Sequence, residues 1–140
     1  MTTDKVRYVY KHYPLDIHEN AKPAALAAEC ANEQGKFWEY HDVLFEKQTE
    51  WGTQERNVTA TTFKKYATEL GLNADSFNSC LDSKKYEDNV DKDLQEGSTY
   101  GVSGTPAFYI GNEEQGYTQV EGAQPFSTIK RTIDQVLQGG

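Results

Sequence analysis

No stretch of this 140-residue chain holds more than a handful of consecutive apolar residues, far short of the roughly 20 that cross a bilayer as a helix. A transmembrane helix is therefore excluded. Basic residues are in the minority, with 14 Lys+Arg against 22 Asp+Glu and a formal net charge of -8. A surface of that sign repels phosphates and acidic headgroups alike, so neither nucleic acid nor a membrane surface is expected as a partner. The three histidines, at positions 12, 18 and 41, form no i,i+4 pair and no H-E-x-x-H, so no histidine-built metal site is expected. The chain has only two cysteines, Cys30 and Cys80. They are too few for a disulfide scaffold and make no C-x-x-C, which leaves either two buried thiols or one bond. There is no glycine-rich phosphate loop, internal repeat, low-complexity tract or linker, and no cofactor is expected. The opening Met1-Thr2-Thr3-Asp4-Lys5 is not followed by an apolar stretch, so no secretion signal is expected in this chain.

What remains is polar and aromatic: 36% hydrophobic residues, 12% aromatic and a mean hydropathy of -0.80. That aromatic content is too high for a disordered acidic tail, and the length suits one domain. Val6 to His12 alternates and is rich in β-branched and aromatic residues, which predicts a strand ended by Tyr13-Pro14. Helices are predicted from Asn20, with the small-residue stripe Ala24, Ala25, Ala28 and Ala31, and over Phe37, Tyr40, His41, Leu44 and Phe45. Thr49 to Asn57 is expected to be a polar turn, after which Thr59 or Thr61 caps a helix bearing Phe63, Tyr66, Ala67 and Leu70 that stops at Gly71. Asn73 caps a helix with Phe77, Cys80 and Leu81 on one face, and Lys84 to Tyr100 reads as a charged helix with Tyr86, Val90 and Leu94 inward. Ala107-Phe108-Tyr109-Ile110 is a continuously apolar run, predicted to be a strand buried on both faces. Gly111 to Gly116 turns it into a hairpin with Tyr117 to Glu121, and Pro125 opens a last helix with Phe126, Ile129, Ile133, Val136 and Leu137 on one face.

The segment richest in chemistry is Val102-Ser103-Gly104-Thr105-Pro106-Ala107-Phe108. A proline at the first position of a strand is compatible with a trans bond or, since X-Pro lowers the penalty, a cis one. A cis bond there would expose the preceding backbone groups to an extended chain. Elsewhere the signals are weaker. Asn57-Val58-Thr59 fits a glycosylation sequon, a frequent chance triplet. Glu29 with Glu33, and the acids from Glu87 to Glu96, lack the spacing of a calcium loop and read as solvated surface. His12 and His41 could each meet a carboxylate, but no Ser or Cys nucleophile pattern accompanies them.

The Val102–Phe108 segment closely resembles the cis-proline loop of DsbA-like thioredoxin-fold proteins, a family of thiol-disulfide oxidoreductases. The likeness extends to VRYVYKHYPL at 6–15, AALAAECANEQGKFWEYHDVLF at 24–45, FNSCLDSKKYEDNVDKDL at 77–94 and the closing hairpin and helix. It implies an α/β, thioredoxin-like fold in one domain over residues 1–140, with a helical insertion at about 20–100. Gly104, Thr105 and Pro106 would then hold an extended polypeptide, and Cys30 and Cys80 would form a structural disulfide. An extracytoplasmic compartment is also implied.

The family's catalytic Cys-x-x-Cys stands on a helix N-terminus that lowers the first thiol's pKa. By resemblance, that helix and the strand before it would lie upstream of Val6, where this sequence has five residues. The expectation is a fold without its N-terminal strand and active-site helix, and a chain inactive as a dithiol oxidase. Loss of a central strand leaves sheet edges open. The Val6–His12 and Ala107–Ile110 strands are then expected to close up on each other, or two chains to cover each other as a homodimer. Two functions follow: an oxidoreductase domain by descent, or a binding or structural module without redox chemistry.

Overall fold

The computed structural model describes residues 4–139. The chain divides into two compact units: His12–Glu96, and the described residues up to Lys11 together with those from Gly97 onward.

Six helices begin in the His12–Glu96 unit: α1 (Ala21–Asn32), α2 (Phe37–Glu46), α3 (Gln48–Trp51), α4 (Arg56–Glu69), α5 (Ala74–Asp82) and α6 (Glu87–Thr99). The alanine stripe lets α1 sit at the centre, packed on α2, α4 and α5. Ala24, Ala25, Ala27, Ala28 and Ala31 are all buried, and around them pack the fully enclosed Tyr40, Phe63, Tyr66, Phe77 and Val90. Burial of side chains such as Phe63, Phe77 and Val90 contributes about 1.5–3 kcal/mol each by leaving water. Tyr40 and Phe77 lie with ring centroids 5.5 Å apart, and the Tyr40 hydroxyl donates to the Phe63 carbonyl at 2.9 Å. That bond satisfies the one polar atom Tyr40 brings into the core. At the start of α5 the Asn73 side chain accepts from Ser76 N, as its sequence position predicts. Gly71 closes α4 with φ +74°, a backbone conformation glycine adopts without a Cβ penalty.

The Thr49–Asn57 stretch differs from expectation. It begins within the short helix α3, and α4 starts at Arg56, so Thr59 lies inside α4 rather than at its cap. The reason is tertiary. Trp51 is buried, its Nε1 donates to the Leu44 carbonyl at 2.8 Å and its ring meets Phe63 edge-on at 5.4 Å. The buried Asn20 amide donates to the carbonyls of Trp51 and Gln54 at 3.0 and 2.8 Å, which pins the loop between α3 and α4. Thr59 turns its hydroxyl back to the Glu55 carbonyl at 3.0 Å.

The second unit holds a two-stranded antiparallel sheet of β1 (Ala107–Asn112) and β2 (Gly116–Glu121), with α7 (Phe126–Gln138) packed on β1. The hairpin turn is built by Asn112, whose side chain accepts from Glu114 N and Gln115 N at 3.1 and 2.8 Å. Three expectations are corrected here. Among the described residues, Val6–His12 takes no part in the sheet and is not a strand, and β1 pairs only with β2, in place of the expected closure onto β1. Alternation signals a strand only where a neighbour supplies the ladder. β1 is half-buried rather than enclosed on both faces, with Tyr109 40% exposed. On α7, Ile129, Ile133 and Val136 are half-buried, while Phe126 and Leu137 remain 78% and 44% exposed. A sheet of two strands is too narrow to cover the whole apolar stripe. Among the described residues, every core side chain belongs to the other unit.

Candidate functional site

The site forms where α6 ends and β1 begins. Gly101 N and Val102 N donate to the carbonyls of Ser98 and Gly97 at 3.1 and 2.9 Å, closing the helix. Gly101 takes φ +82°, and the turn it permits sends residues 102–106 across to β1. The Thr105–Pro106 peptide bond is cis. Two contacts fix the loop at either side. The Tyr109 hydroxyl donates to the Tyr100 carbonyl, and Gly122 N donates to the Pro106 carbonyl at 2.8 Å. The second bond fastens the entry to β1 against the exit from β2.

Between them lies an open cleft of about 310 Å³ lined by Ser103 to Ala107 with Gln119, Glu121 and Gly122. Gly104, Thr105 and Pro106, singled out from sequence, are thus brought together on one side of it. The opposite side follows from strand register. Ala107 pairs with Glu121 and Tyr109 with Gln119, so these four side chains share one face of the hairpin. Gln119 Nε2 donates to Glu121 Oε1 at 3.1 Å and orients the carboxylate. Glu121, Gln119 and the Tyr100–Tyr109 contact were not anticipated from sequence. A turn over the whole of Gly111–Gly116 would set residue 120 opposite residue 107; the observed turn is shorter, with Asn112 paired to Gly116, and this brings Glu121 opposite Ala107 instead.

A family model described as thioredoxin matches residues 1–135. The chain belongs to the thioredoxin family. Its helices and small antiparallel sheet form the mixed α/β, thioredoxin-like fold that the sequence implied. Curated relatives include "Na(+)/H(+) antiporter NhaA 3" of Salinispora tropica, 37% identical over 83% of this chain and 17% of that protein. "Na(+)/H(+) antiporter NhaA 1" of Salinispora arenicola is 36% identical over the same shares, 83% and 17%. "Na(+)/H(+) antiporter NhaA" of Herminiimonas arsenicoxydans is 34% identical over 76% of this chain and 16% of its own length. The chain thus spans about one sixth of the length of these curated relatives, 16–17%. No solved structure matches it.

Within this thioredoxin-family chain the two cysteines are joined to each other. Cys30 on α1 and Cys80 on α5 form a disulfide with S–S 2.06 Å and Cα–Cα 5.8 Å, as the resemblance implied. With the residues 1% and 5% exposed, burial shields the bond from an attacking thiolate. The bond is a staple between two helices. No free thiol remains in the chain.

The histidine pairs exist. His12 Nε2 lies 2.7 Å from Glu29 Oε1, with His12 buried and its backbone N donating to Asp93 at 3.0 Å. The hydrogen bond to His12 holds the Glu29 carboxyl below its ordinary range, against burial, which pushes the other way; Asn32 adds a smaller lowering. Glu29 is therefore a structural partner of His12 rather than the solvated acid expected. Glu33 keeps to the surface, paired with Lys85 at 2.7 Å. His41 Nδ1 meets the exposed Asp42 at 3.0 Å. Among the described residues, no three His, Cys, Asp or Glu side chains are grouped to hold a metal ion.

Proposed function

We propose that this chain is the polypeptide-holding part of a DsbA-like thiol-disulfide oxidoreductase, with Gly104, Thr105 and Pro106 as the substrate-binding loop. The observation that carries this reading is the open cleft where the 103–107 backbone borders the first residues of β1. An extended chain entering there meets exposed peptide groups with which it can hydrogen-bond in β fashion, independent of its sequence. The motif Val102–Phe108 and membership of the thioredoxin family support the same reading. We place the helical unit, His12–Glu96, as the insertion of a single domain whose remainder carries the cleft.

By itself the chain is proposed to perform no dithiol–disulfide exchange. Such a cycle needs a thiolate beside a second thiol, and both cysteines here are consumed in one buried bond. The antiporter names of the relatives are not carried to this chain. The matched stretch is 17% of the first of those proteins, and among the described residues no helix is long and apolar enough to cross a membrane.

The test uses fluorescence anisotropy with a labelled, unfolded, cysteine-free peptide and a leucine at Gly104. A Cβ added at Gly104 meets nothing within 4 Å, so Gly104→Leu enters the cleft without a backbone clash. Peptide binding by the wild type that the variant loses, together with background rates in an insulin-reduction assay, is the expected result. Undiminished binding by the variant would refute the site.

A second reading, a non-catalytic module that pairs as a homodimer, is favoured by one observation. The half-buried β1 stands at the edge of a two-stranded sheet beside the exposed Phe126 and Leu137 of α7. An open edge of this kind templates strand pairing between chains. Sedimentation equilibrium separates the readings: a dimer broken by Phe126→Asp favours the module, and a monomer removes it.

A further inference from the structure

We propose that Glu121 makes the cleft selective for polypeptide segments that present a lysine or arginine. This rests on the reading of residues 103–107 as a polypeptide-binding loop and names the class of chain it accepts. Among the described residues that line the cleft, the side chains of Ser103, Thr105, Pro106, Ala107 and Gln119 are neutral, Glu121 carries the one charge, and there is no lysine or arginine to neutralise it.

The carboxylate is also held in place. Register sets Glu121 directly across from Ala107, the first residue after the loop. The Gln119 amide donates to Oε1 at 3.1 Å, and the Gln124 amide donates to the Glu121 carbonyl at 3.0 Å, fixing the backbone beneath. One carboxylate oxygen is thereby oriented by a neutral donor, which leaves the group's charge uncompensated. A segment lying along 103–107 passes the start of β1, where a side chain projecting toward β2 meets this group. A lysine ammonium or an arginine guanidinium gains a charge-assisted hydrogen bond there. An aspartate or glutamate at the same place is repelled. The remaining lining atoms, hydroxyls and peptide groups, do not discriminate.

The experiment titrates the full chain with two fluorescein-labelled, cysteine-free peptides that differ only in a central Lys or Glu. The Lys peptide is expected to bind about two- to fivefold more tightly, the range of an exposed ion pair, and the preference shrinks as salt is raised. Glu121→Gln, which retains an acceptor for Gln119, brings the ratio close to one, and Glu121→Lys reverses it. Equal binding of both peptides by the wild type, or a preference that survives in both variants, overturns the selectivity while leaving the loop reading intact. Binding of neither peptide, or binding that Gly104→Leu does not weaken, overturns the loop reading itself and the selectivity with it.

Discussion

Gly122 N donates to the Pro106 carbonyl at 2.8 Å, so the residue that enters β1 and the residue that leaves β2 are tied to one another. This bond extends the ladder by one step beyond the Ala107–Glu121 pair. It makes the cleft a product of the hairpin: the loop at 103–106 keeps its place only while β2 stays in register. The proposed polypeptide binding is therefore linked to hairpin stability through the Pro106 carbonyl.

Gly111 is the point at which that coupling is most easily broken. A Cβ there would stand 2.0 Å from the Gly116 carbonyl oxygen and 2.7 Å from Tyr117 Cα. Both are backbone atoms, which no rotamer change can move aside. Overpacking typically costs about 1–3 kcal/mol, and a backbone clash falls at the upper end or beyond. Gly111→Ala is expected to abolish cross-strand NOEs between Ile110 and Thr118 and to weaken peptide binding. The far-UV helical signal should survive, because the helical core lies in the other unit. An intact hairpin in this variant would contradict the account.

The disulfide should act on stability alone. A bond closing a loop of sequence separation 50 removes chain entropy worth about 4 kcal/mol in the entropic model, with observed effects about 2–4 kcal/mol. The Cys30→Ser, Cys80→Ser double variant is expected to lower the urea midpoint accordingly while leaving peptide affinity unchanged. Thiol titration under denaturant should find no free sulfhydryl before reduction and two after. Insulin-reduction activity that disappears in the double variant would assign the pair a redox role.

Acid stability should depend on Glu29. Its carboxyl titrates below the ordinary 4.5 in the folded state, chiefly through the hydrogen bond to His12. The unfolded chain therefore takes up the proton first, and the stabilisation present above pH 4.5 is lost as pH falls through the folded value. Glu29→Gln should lower stability near neutrality and flatten the decline below pH 4.5. Denaturation curves measured across that range check this, and wild-type and variant profiles that run parallel would dispose of the pair as a source of pH dependence.

The helical unit was largely legible because its signals are local. The alanine stripe, the Asn73 cap and the Phe77–Cys80–Leu81 spacing each determine a face or a boundary without reference to distant residues. The disulfide was not legible from spacing and came only through family resemblance. The misreadings share one cause, the need for a partner far away in sequence. Val6–His12 has a strand's pattern but, among the described residues, is not part of the β1–β2 sheet, and Trp51 looked like part of a turn until Leu44 and Phe63 enclosed it. At the site, the loop motif was visible and its facing wall was not. Glu121 and Gln119 belong to the cleft through strand register, a property of the pair rather than of either segment.

The central claim is that residues 103–107 bind an extended polypeptide. The measurement that tests it most directly is an amide chemical-shift titration of the isotope-labelled chain with an unfolded, cysteine-free, lysine-bearing peptide. The account predicts saturable shifts clustered at Ser103, Gly104, Thr105, Ala107, Gln119, Glu121 and Gly122, the residues that line the cleft. Saturable shifts centred instead on the helical unit, or no shifts at all, would contradict it.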